Sequence, residues 1–302
     1  MDREFRNQGT CLWCGQDLCQ HPSRVITTKD WALETPEIFA YVKCKNCKSL
    51  ALVNPPVDSQ LGLYYPTDYA PYVVKPESLG TIGFPKQILS RLVSGPRSDI
   101  NILDYGCGNG TWLAQAANTF EGAKLHAVDF NPSEAINRIR WIGKDVNVIS
   151  PQDFLLSQQV YDVINFGHSI EHVPNPIEVI KGAALQLSRG GVLIIACPVS
   201  DSLSFALFGP FWFALDAPRH FSVPSISALD SAIIASAFTI TQSESYGSPT
   251  TFDRSVNYVT QNRSRYFLPS KFLHAAAKPD FVNRLICRFH RSSKYRILAQ
   301  RT

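Results

Sequence analysis

At 302 residues, with 45% hydrophobic and 18% charged side chains, the chain has the make-up of a folded protein with one substantial core and room for a small appendage, which excludes a disordered or fibrous chain. The net charge of +4 is uneven: from Phe252 to Thr302 eleven Lys or Arg stand against Asp253 and Asp280, leaving +9 there and −5 in the preceding 251 residues. The basic end suits either a solvated helical face or attraction to phosphates of nucleic acid, a nucleotide-linked substrate or a membrane surface.

The amino terminus is charged and runs straight into cysteines, so no secretory signal is expected and the location expected is cytoplasmic. Cys11-Leu-Trp-Cys14 and Cys44-Lys-Asn-Cys47 are two C-x-x-C pairs, and their four thiolates suit one tetrahedral structural zinc. The spacer from 15 to 43 is longer than that of compact ribbons and leaves room for a hairpin with strands at 24–28 and 38–42. Redox use of these pairs would need a strand before a C-x-x-C that opens a helix. Cys19 and His21 read as bystanders, and Cys107, Cys197 and Cys287 as single buried thiols in a reducing compartment.

Residues 54–96 are rich in Pro and Tyr. The stretch Leu63 to Tyr72 is too aromatic for an idle linker; it either packs the cysteine module onto the larger domain, the favoured reading, or covers a ligand. Residues 84–93 read as one amphipathic helix.

Ile102 and Leu103 end a buried strand, Gly106, Gly108 and Gly110 let the chain turn tightly against a ligand, and Thr111 begins a helix. A dinucleotide fingerprint is G-x-G-x-x-G, whereas the spacing here is G-x-G-x-G with Asp104 in front. Lys124 to Asp129 reads as a second strand ending in the acid that accepts hydrogen bonds from ribose hydroxyls, followed by Phe130 and by a helix with Asn131 as cap and Pro132 at its first position. A third strand at 146–149 precedes Asp153 and Phe154, placed to meet an adenine amino group and ring face, or simply to cap a helix. A fourth strand, 161–166, ends at Phe166. After it come His168, Glu171 and His172, a helix from Pro176 to about Ser188, and a fifth strand, 192–197, apolar on both faces.

Residues 203–215 form an apolar stretch broken by Gly209 and Pro210, too short to span a bilayer, which needs roughly 20 apolar residues. It lines a pocket for a hydrophobic acceptor or, as favoured, forms a lid on the aromatic stretch at 63–72. His220 follows it, ahead of a helix beginning near Pro224. Strand and helix alternating from 100 to 197 imply a doubly wound α/β domain with its ligand at the carboxyl ends of the strands.

Leu-Asp-Tyr-Gly-Cys-Gly-Asn-Gly, Ala-Val-Asp, Tyr-Asp-Val-Ile, Ser-Ile-Glu-His-Val-Pro-Asn-Pro and Arg-Gly-Gly-Val-Leu-Ile together resemble the class I S-adenosylmethionine-dependent methyltransferases. Within these the chain is most similar to the branch of ubiquinone-type O-methyltransferases and of sugar methyltransferases with an N-terminal zinc-binding module. The resemblance implies a Rossmann-like seven-stranded sheet of order 3-2-1-4-5-7-6 behind a small zinc ribbon, with strand six at 238–244 and strand seven at 295–300. The expected division is a zinc-ribbon-like module at 1–57, a Pro/Tyr-rich linker and helix at 58–97, and a methyltransferase domain at 98–302 with insertions near 201–223 and 247–293.

For the cofactor S-adenosylmethionine the expected contacts are Asp104, Gly106, Gly108, Gly110, Asp129, Phe130, Asp153, Phe154 and Phe166. Methyl transfer is an in-line displacement, so a base is needed only for an acceptor that must lose a proton; His220, His172 and Glu171 are the candidates, beside His168. Each of them also has a structural reading: a hydrogen bond that pins the loop for His220, and fixing the loop after strand four for Glu171 and His172. The Tyr-His-Glu-His pattern of sugar C-methyltransferases reads Ala217-Pro-Arg-His220 here, so one position matches. The expected acceptor is a small molecule such as a sugar, polyketide, quinol or cell-envelope precursor, with peripheral membrane contact open. An RNA or protein acceptor gripped by the zinc module and the basic segment is the alternative, less favoured because the module has no run of basic residues.

Overall fold

Apolar runs fold into the strands that their patterning implies, first around the cysteine pairs. In the computed structural model, which describes residues 9–19, 24–73, 100–247, 249–262 and 293–301, β1 (Val25–Lys29) and β2 (Ile38–Lys43) form the expected antiparallel hairpin, and β3 (Leu50–Leu52) adds to β2. The expected helix at 84–93, His21, Cys287 and most of the basic segment lie outside the described residues.

Strand and helix then alternate. β4 (Asn101–Tyr105), α1 (Thr111–Thr119), β5 (Lys124–Val128), α2 (Pro132–Ile139), β6 (Val146–Ile149), α3 (Pro151–Leu156), β7 (Tyr161–Gly167), α4 (Pro176–Gln186) and β8 (Leu187–Pro198) follow in order. Local chemistry sets the helix starts. Asn131 accepts from the Glu134 amide with Pro132 at the first position, Ser150 and Asp153 form a reciprocal capping box, and Pro176 opens α4. Beyond β8 come α5 (Leu203–Phe208), β9 (Ser222–Val223), α6 (Ile226–Ala235), β10 (Phe238–Tyr246), α7 (Pro249–Gln261) and β11 (Lys294–Arg301).

Seven strands make one sheet in the order β10-β11-β8-β7-β4-β5-β6. Counted from β4 onward, this is the expected 3-2-1-4-5-7-6 read from the other edge, with β11 antiparallel to both neighbours. The parallel strands β4, β5, β7 and β8 carry fully buried residues such as Leu103, Ile164 and Ile195, as strands covered on both faces must. Their carboxyl ends all open on one side, where crossover loops gather.

A second sheet has the order β1-β2-β3-β9, and its last strand comes from the segment after β8. The small sheet thus takes a strand from beyond the boundary expected at residue 57. The apolar stretch at 203–215 is also placed differently from the expected lid: Phe205, Phe208, Phe211 and Trp212 pack against Ile26, Phe39, Tyr41 and Leu50 of the small sheet, while Tyr64 is the one fully buried ring that the aromatic stretch contributes. The greasy surface of a short three-stranded sheet needs a cover, and the nearest apolar segment in space supplies it. Among the described residues no helix is long and apolar enough to cross a membrane.

Candidate active site

The loops at the carboxyl ends of β4, β5 and β7 enclose a cavity of about 590 Å³. Tyr105, Gly106 and Gly108 form its floor, Val128, Asp129, Phe130 and Asn131 one wall, and Ser169 and His172 another. Gly106 takes φ +76°, and a Cβ there would stand 2.6 Å from Ser169 Cβ, so the loop after β7 closes directly on the glycine turn. Gly106→Ala should destabilise the fold by about 2–4 kcal/mol, from left-handed backbone strain plus overpacking. Urea unfolding would measure it, and an unchanged midpoint would refute the close approach.

The other expected cofactor residues separate into two groups. Asp129 reaches the cavity, accepting from the Asn131 amide at 2.9 Å and from Arg138 at 2.6 Å, and Phe130 is half exposed beside it. Asp104, Gly110, Asp153, Phe154 and Phe166 do not line the cavity. Asp104 is buried beneath the glycine turn, where it accepts from Asn165 at 2.8 Å and burial pushes its carboxyl up to about 7. Gly110 packs against Ile139 and Ile142 of the α2 region.

Asp153 turns back to the Ser150 hydroxyl at 2.7 Å as part of the capping box, and the wall there consists of Pro151, Gln152 and Leu155. Phe154 and Phe166 are wholly buried and flank the Tyr105 ring at 5.3 and 5.0 Å. A helical turn sends side chains at neighbouring positions in different directions, so a helix capped by Asp153 presents Gln152 and Leu155 to the cavity instead.

Three tyrosines of the aromatic stretch roof the cavity. Tyr69 stands edge-on to Tyr65 and to Tyr72 at 5.3 Å each, Tyr65 meets Phe130 at 5.2 Å, and the Arg138 guanidinium lies 4.1 Å over Tyr72. The stretch thus divides its labour: Tyr64 packs, while Tyr65, Tyr69 and Tyr72 face the ligand space. Nothing in the spacing of Arg138 foretold its part.

His168 and His172 sit on the cavity wall, and His220 stands behind them, its ring 4.5 Å from that of His172 and edge-on to it. His220, a candidate base, does not itself line the cavity. His172 Nδ1 lies 3.1 Å from the Arg219 carbonyl and 3.0 Å from the Tyr65 hydroxyl, and His220 Nδ1 lies 3.1 Å from the Ala214 carbonyl. Burial lowers both imidazole pKa values, that of His220 to about 4, so both are neutral near pH 7. Glu171 is fully buried next to them, 3.9 Å from His220 Nε2.

The wall behind this cluster belongs to the small sheet. Arg219, 1% exposed, donates to Asp30 at 2.8 and 2.9 Å and to Asp216 at 2.7 Å, and Tyr41 donates its hydroxyl to the His220 carbonyl at 2.7 Å. Asp30 follows β1, so the cysteine-bearing segment holds the loop that carries the histidines.

The four cysteines Cys11, Cys14, Cys44 and Cys47 come together as the sequence implies. Their sulfurs all lie within 4.8 Å of one another, with Cys11 and Cys47 at 3.5 Å and Cys14 and Cys44 at 3.6 Å, and none is in a disulfide. Cys19 stays outside the group.

A glycine turn over a buried acid, a cavity-facing acid at the next strand tip and a Rossmann-like sheet are the anatomy of one large family. The sequence pattern described as "Methyltransferase domain" matches residues 81–243, more than half of the chain. The chain belongs to this methyltransferase family. Among its relatives, the ubiquinone biosynthesis O-methyltransferase of Xanthomonas campestris pv. campestris is 31% identical over 113 residues, 35% of this chain and 46% of that one. Methyltransferase str2 of Strobilurus tenacellus is 32% identical over 97 residues, 31% of this chain and 34% of its own length. The chain thus spans less than half the length of those relatives. Among solved structures, phosphoethanolamine N-methyltransferase 2 of Haemonchus contortus, in complex with S-adenosyl-L-methionine, is similar with a TM-score of 0.50 and 16% identity over 92% of this chain and 68% of that one, a likeness of fold.

Proposed function

We propose that the protein transfers a methyl group from S-adenosylmethionine to a small-molecule acceptor by in-line displacement. The observation that carries this reading is the cavity between the Gly106–Gly108 turn and the tyrosine roof. It is of a size that suits a ligand such as this. Asp58 and Glu178 line it beside the Arg138-paired Asp129 and, among the described residues, no Lys or Arg does, which favours a cationic ligand over a phosphate. The cofactor supplies a methyl group already activated by its sulfonium.

Gly106, Gly108, Asp129 and Phe130 would touch the cofactor, Asp129 through the ribose hydroxyls. Asp104, Gly110, Phe154 and Phe166 would act from behind by fixing the turn and the Tyr105 ring, and Asp153 by capping α3. Tyr65, Tyr69 and Tyr72 exclude water from above. An acceptor with an O–H or an acidic C–H must lose a proton, and the group Glu171, His172 and His220 at the far wall is where its nucleophile would be made.

The four cysteines fit a structural zinc: sulfurs bonded at about 2.3 Å in a tetrahedron stand about 3.8 Å apart. The Cys11 contact and the Ser49 hydroxyl both lower the Cys47 thiol below its ordinary value. A cytoplasmic location remains part of the proposal.

Calorimetric titration of the zinc-loaded protein with S-adenosylmethionine tests the reading. Saturable binding with a Kd of about 1–100 µM is expected, near the working range of enzymes. A folded, metal-loaded protein that gives no heat would overturn it.

A further inference from the structure

The wall behind the cavity holds more negative charge and more hydrogen-bond acceptors than it holds partners for them. Glu171 is 0% exposed and neither of its carboxylate oxygens has a hydrogen bond. His168 Nδ1 stands 3.5 Å from Oε1 without bonding to it, its other ring nitrogen being 3.2 Å from the Tyr246 hydroxyl. Lys294 is near enough to be felt by Glu171 but donates to neither oxygen. A buried carboxylate left in this state is costly, and natural sites answer it with a proton, a bound cation or an ordered water.

The neighbours of Glu171 deepen the imbalance. The one guanidinium in this wall, Arg219, is spent on Asp30 and Asp216 and donates nothing to Glu171. His220 donates from Nδ1 to the Ala214 carbonyl, which leaves Nε2 as a lone pair 3.9 Å from Glu171 Oε1 and 4.0 Å from Asp216 Oδ2. His172 meets both the Arg219 carbonyl and the Tyr65 hydroxyl at Nδ1, and in the tautomer that donates to the carbonyl its Nε2 is an acceptor. The His220 ligand nitrogen thus has its opposite ring nitrogen held by a backbone carbonyl, the usual outer-shell arrangement of metal-binding histidines.

We propose that Glu171, His172 and His220 hold a divalent transition-metal cation in the wall behind the cavity, where His172 alone of the three reaches the cavity surface, a site separate from the four-cysteine cluster. One ligand atom from each of the three lies within 4.8 Å of the others. Two ligands bonded at about 2.1 Å stand about 3.0 Å apart at right angles and about 4.2 Å apart in line, so the group must contract by an ångström or so around the ion. A set of two imidazoles and one carboxylate suits Zn²⁺, Mn²⁺ or Fe²⁺ rather than Mg²⁺ or Ca²⁺. The cation would make an anionic oxygen of the acceptor tolerable at this wall, which points to a hydroxyl or enol acceptor in preference to an amine.

The assignment of acceptor class rests on the methyltransferase reading, but the binding site does not, and the two fail separately. The S-adenosylmethionine titration above judges the first, and metal content alone judges the second. Full-length protein dialysed against Zn²⁺ is expected to hold two zinc ions per chain by mass spectrometry, and to quench the free-ion resonance of added Mn²⁺, which thiolate sites bind poorly. Glu171→Gln and, independently, His220→Asn should each lose the second zinc and at least tenfold in Mn²⁺ affinity while keeping the first zinc and an unchanged circular dichroism spectrum. One zinc per chain and no Mn²⁺ binding in the unsubstituted protein would overturn the site and leave a water-filled cluster; so would folded variants that keep both metals.

Discussion

Removing metal from the four-cysteine cluster, by a strong chelator or by Cys44→Ser, is expected to lower the melting temperature by at least about 10 °C, the largest effect of any change considered for this protein. Structural zinc contributes about 10–16 kcal/mol in isolated finger peptides. The share is smaller here, because an aromatic core behind β1 to β3 remains to hold the sheet. Two links carry the damage inward. Trp13, between the first two cysteines, is buried and donates its indole N–H to the Ser222 hydroxyl at 2.9 Å, and the Ser225 hydroxyl that caps α6 donates to the Cys47 carbonyl. Loss of the metal should therefore expose Trp13 and red-shift its fluorescence before the seven-stranded sheet melts. A chelated protein with the parent melting temperature and spectrum would show that the thiols hold no structural ion.

Asp30→Ala is expected to cost about 3–5 kcal/mol, the range for breaking a buried pair on one side only. Asp30 is 0% exposed and takes two hydrogen bonds from Arg219, which in turn accepts one at its carbonyl from His172. Removing the acid leaves a buried guanidinium with Asp216 and the Tyr64 carbonyl as its remaining partners. Arg219→Met combined with Asp30→Leu should lose less than the two single changes added together, since neither member of the Arg219–Asp30 pair is then left buried without the other and only Asp216 loses a partner. Guanidinium unfolding of the three variants measures the coupling. Simple additivity would mean that the pair contributes packing alone.

How far the sequence speaks depends on whether a feature is local. Strand and helix periodicity, the proline and Asn caps, the glycine turn and both C-x-x-C pairs are written in short windows, and each is found where its window places it. The order of the seven strands followed from a family resemblance and agrees with the pairing found. What could not be read depends on residues far apart. Phe154 and Phe166 are apolar residues after strands, as ligand-facing residues often are, and only the packing around Tyr105 reveals that they lie behind the cavity. His220 follows an insertion, and whether it meets the ligand depends on His172 standing in front of it. Tyr64 and Tyr65 are adjacent and have opposite roles, because neighbouring side chains on a tight turn diverge.

The pairing of Leu50 and Ala51 with Val223 and Ser222 has a consequence for the order in which the chain acquires its structure. The early hairpin is complete once β3 has been made, but its edge and its apolar face must wait until the segment at 205–223 follows, after every parallel strand of the large sheet has been synthesised. Contacts of such long sequence separation form slowly, and an uncovered edge in the meantime invites pairing with another chain. Thiol ligation is a short-range reaction that needs only the first fifty residues. A metal taken up early would stiffen the nascent hairpin through that interval, so that the cluster would protect the chain during its synthesis as well as brace the finished wall.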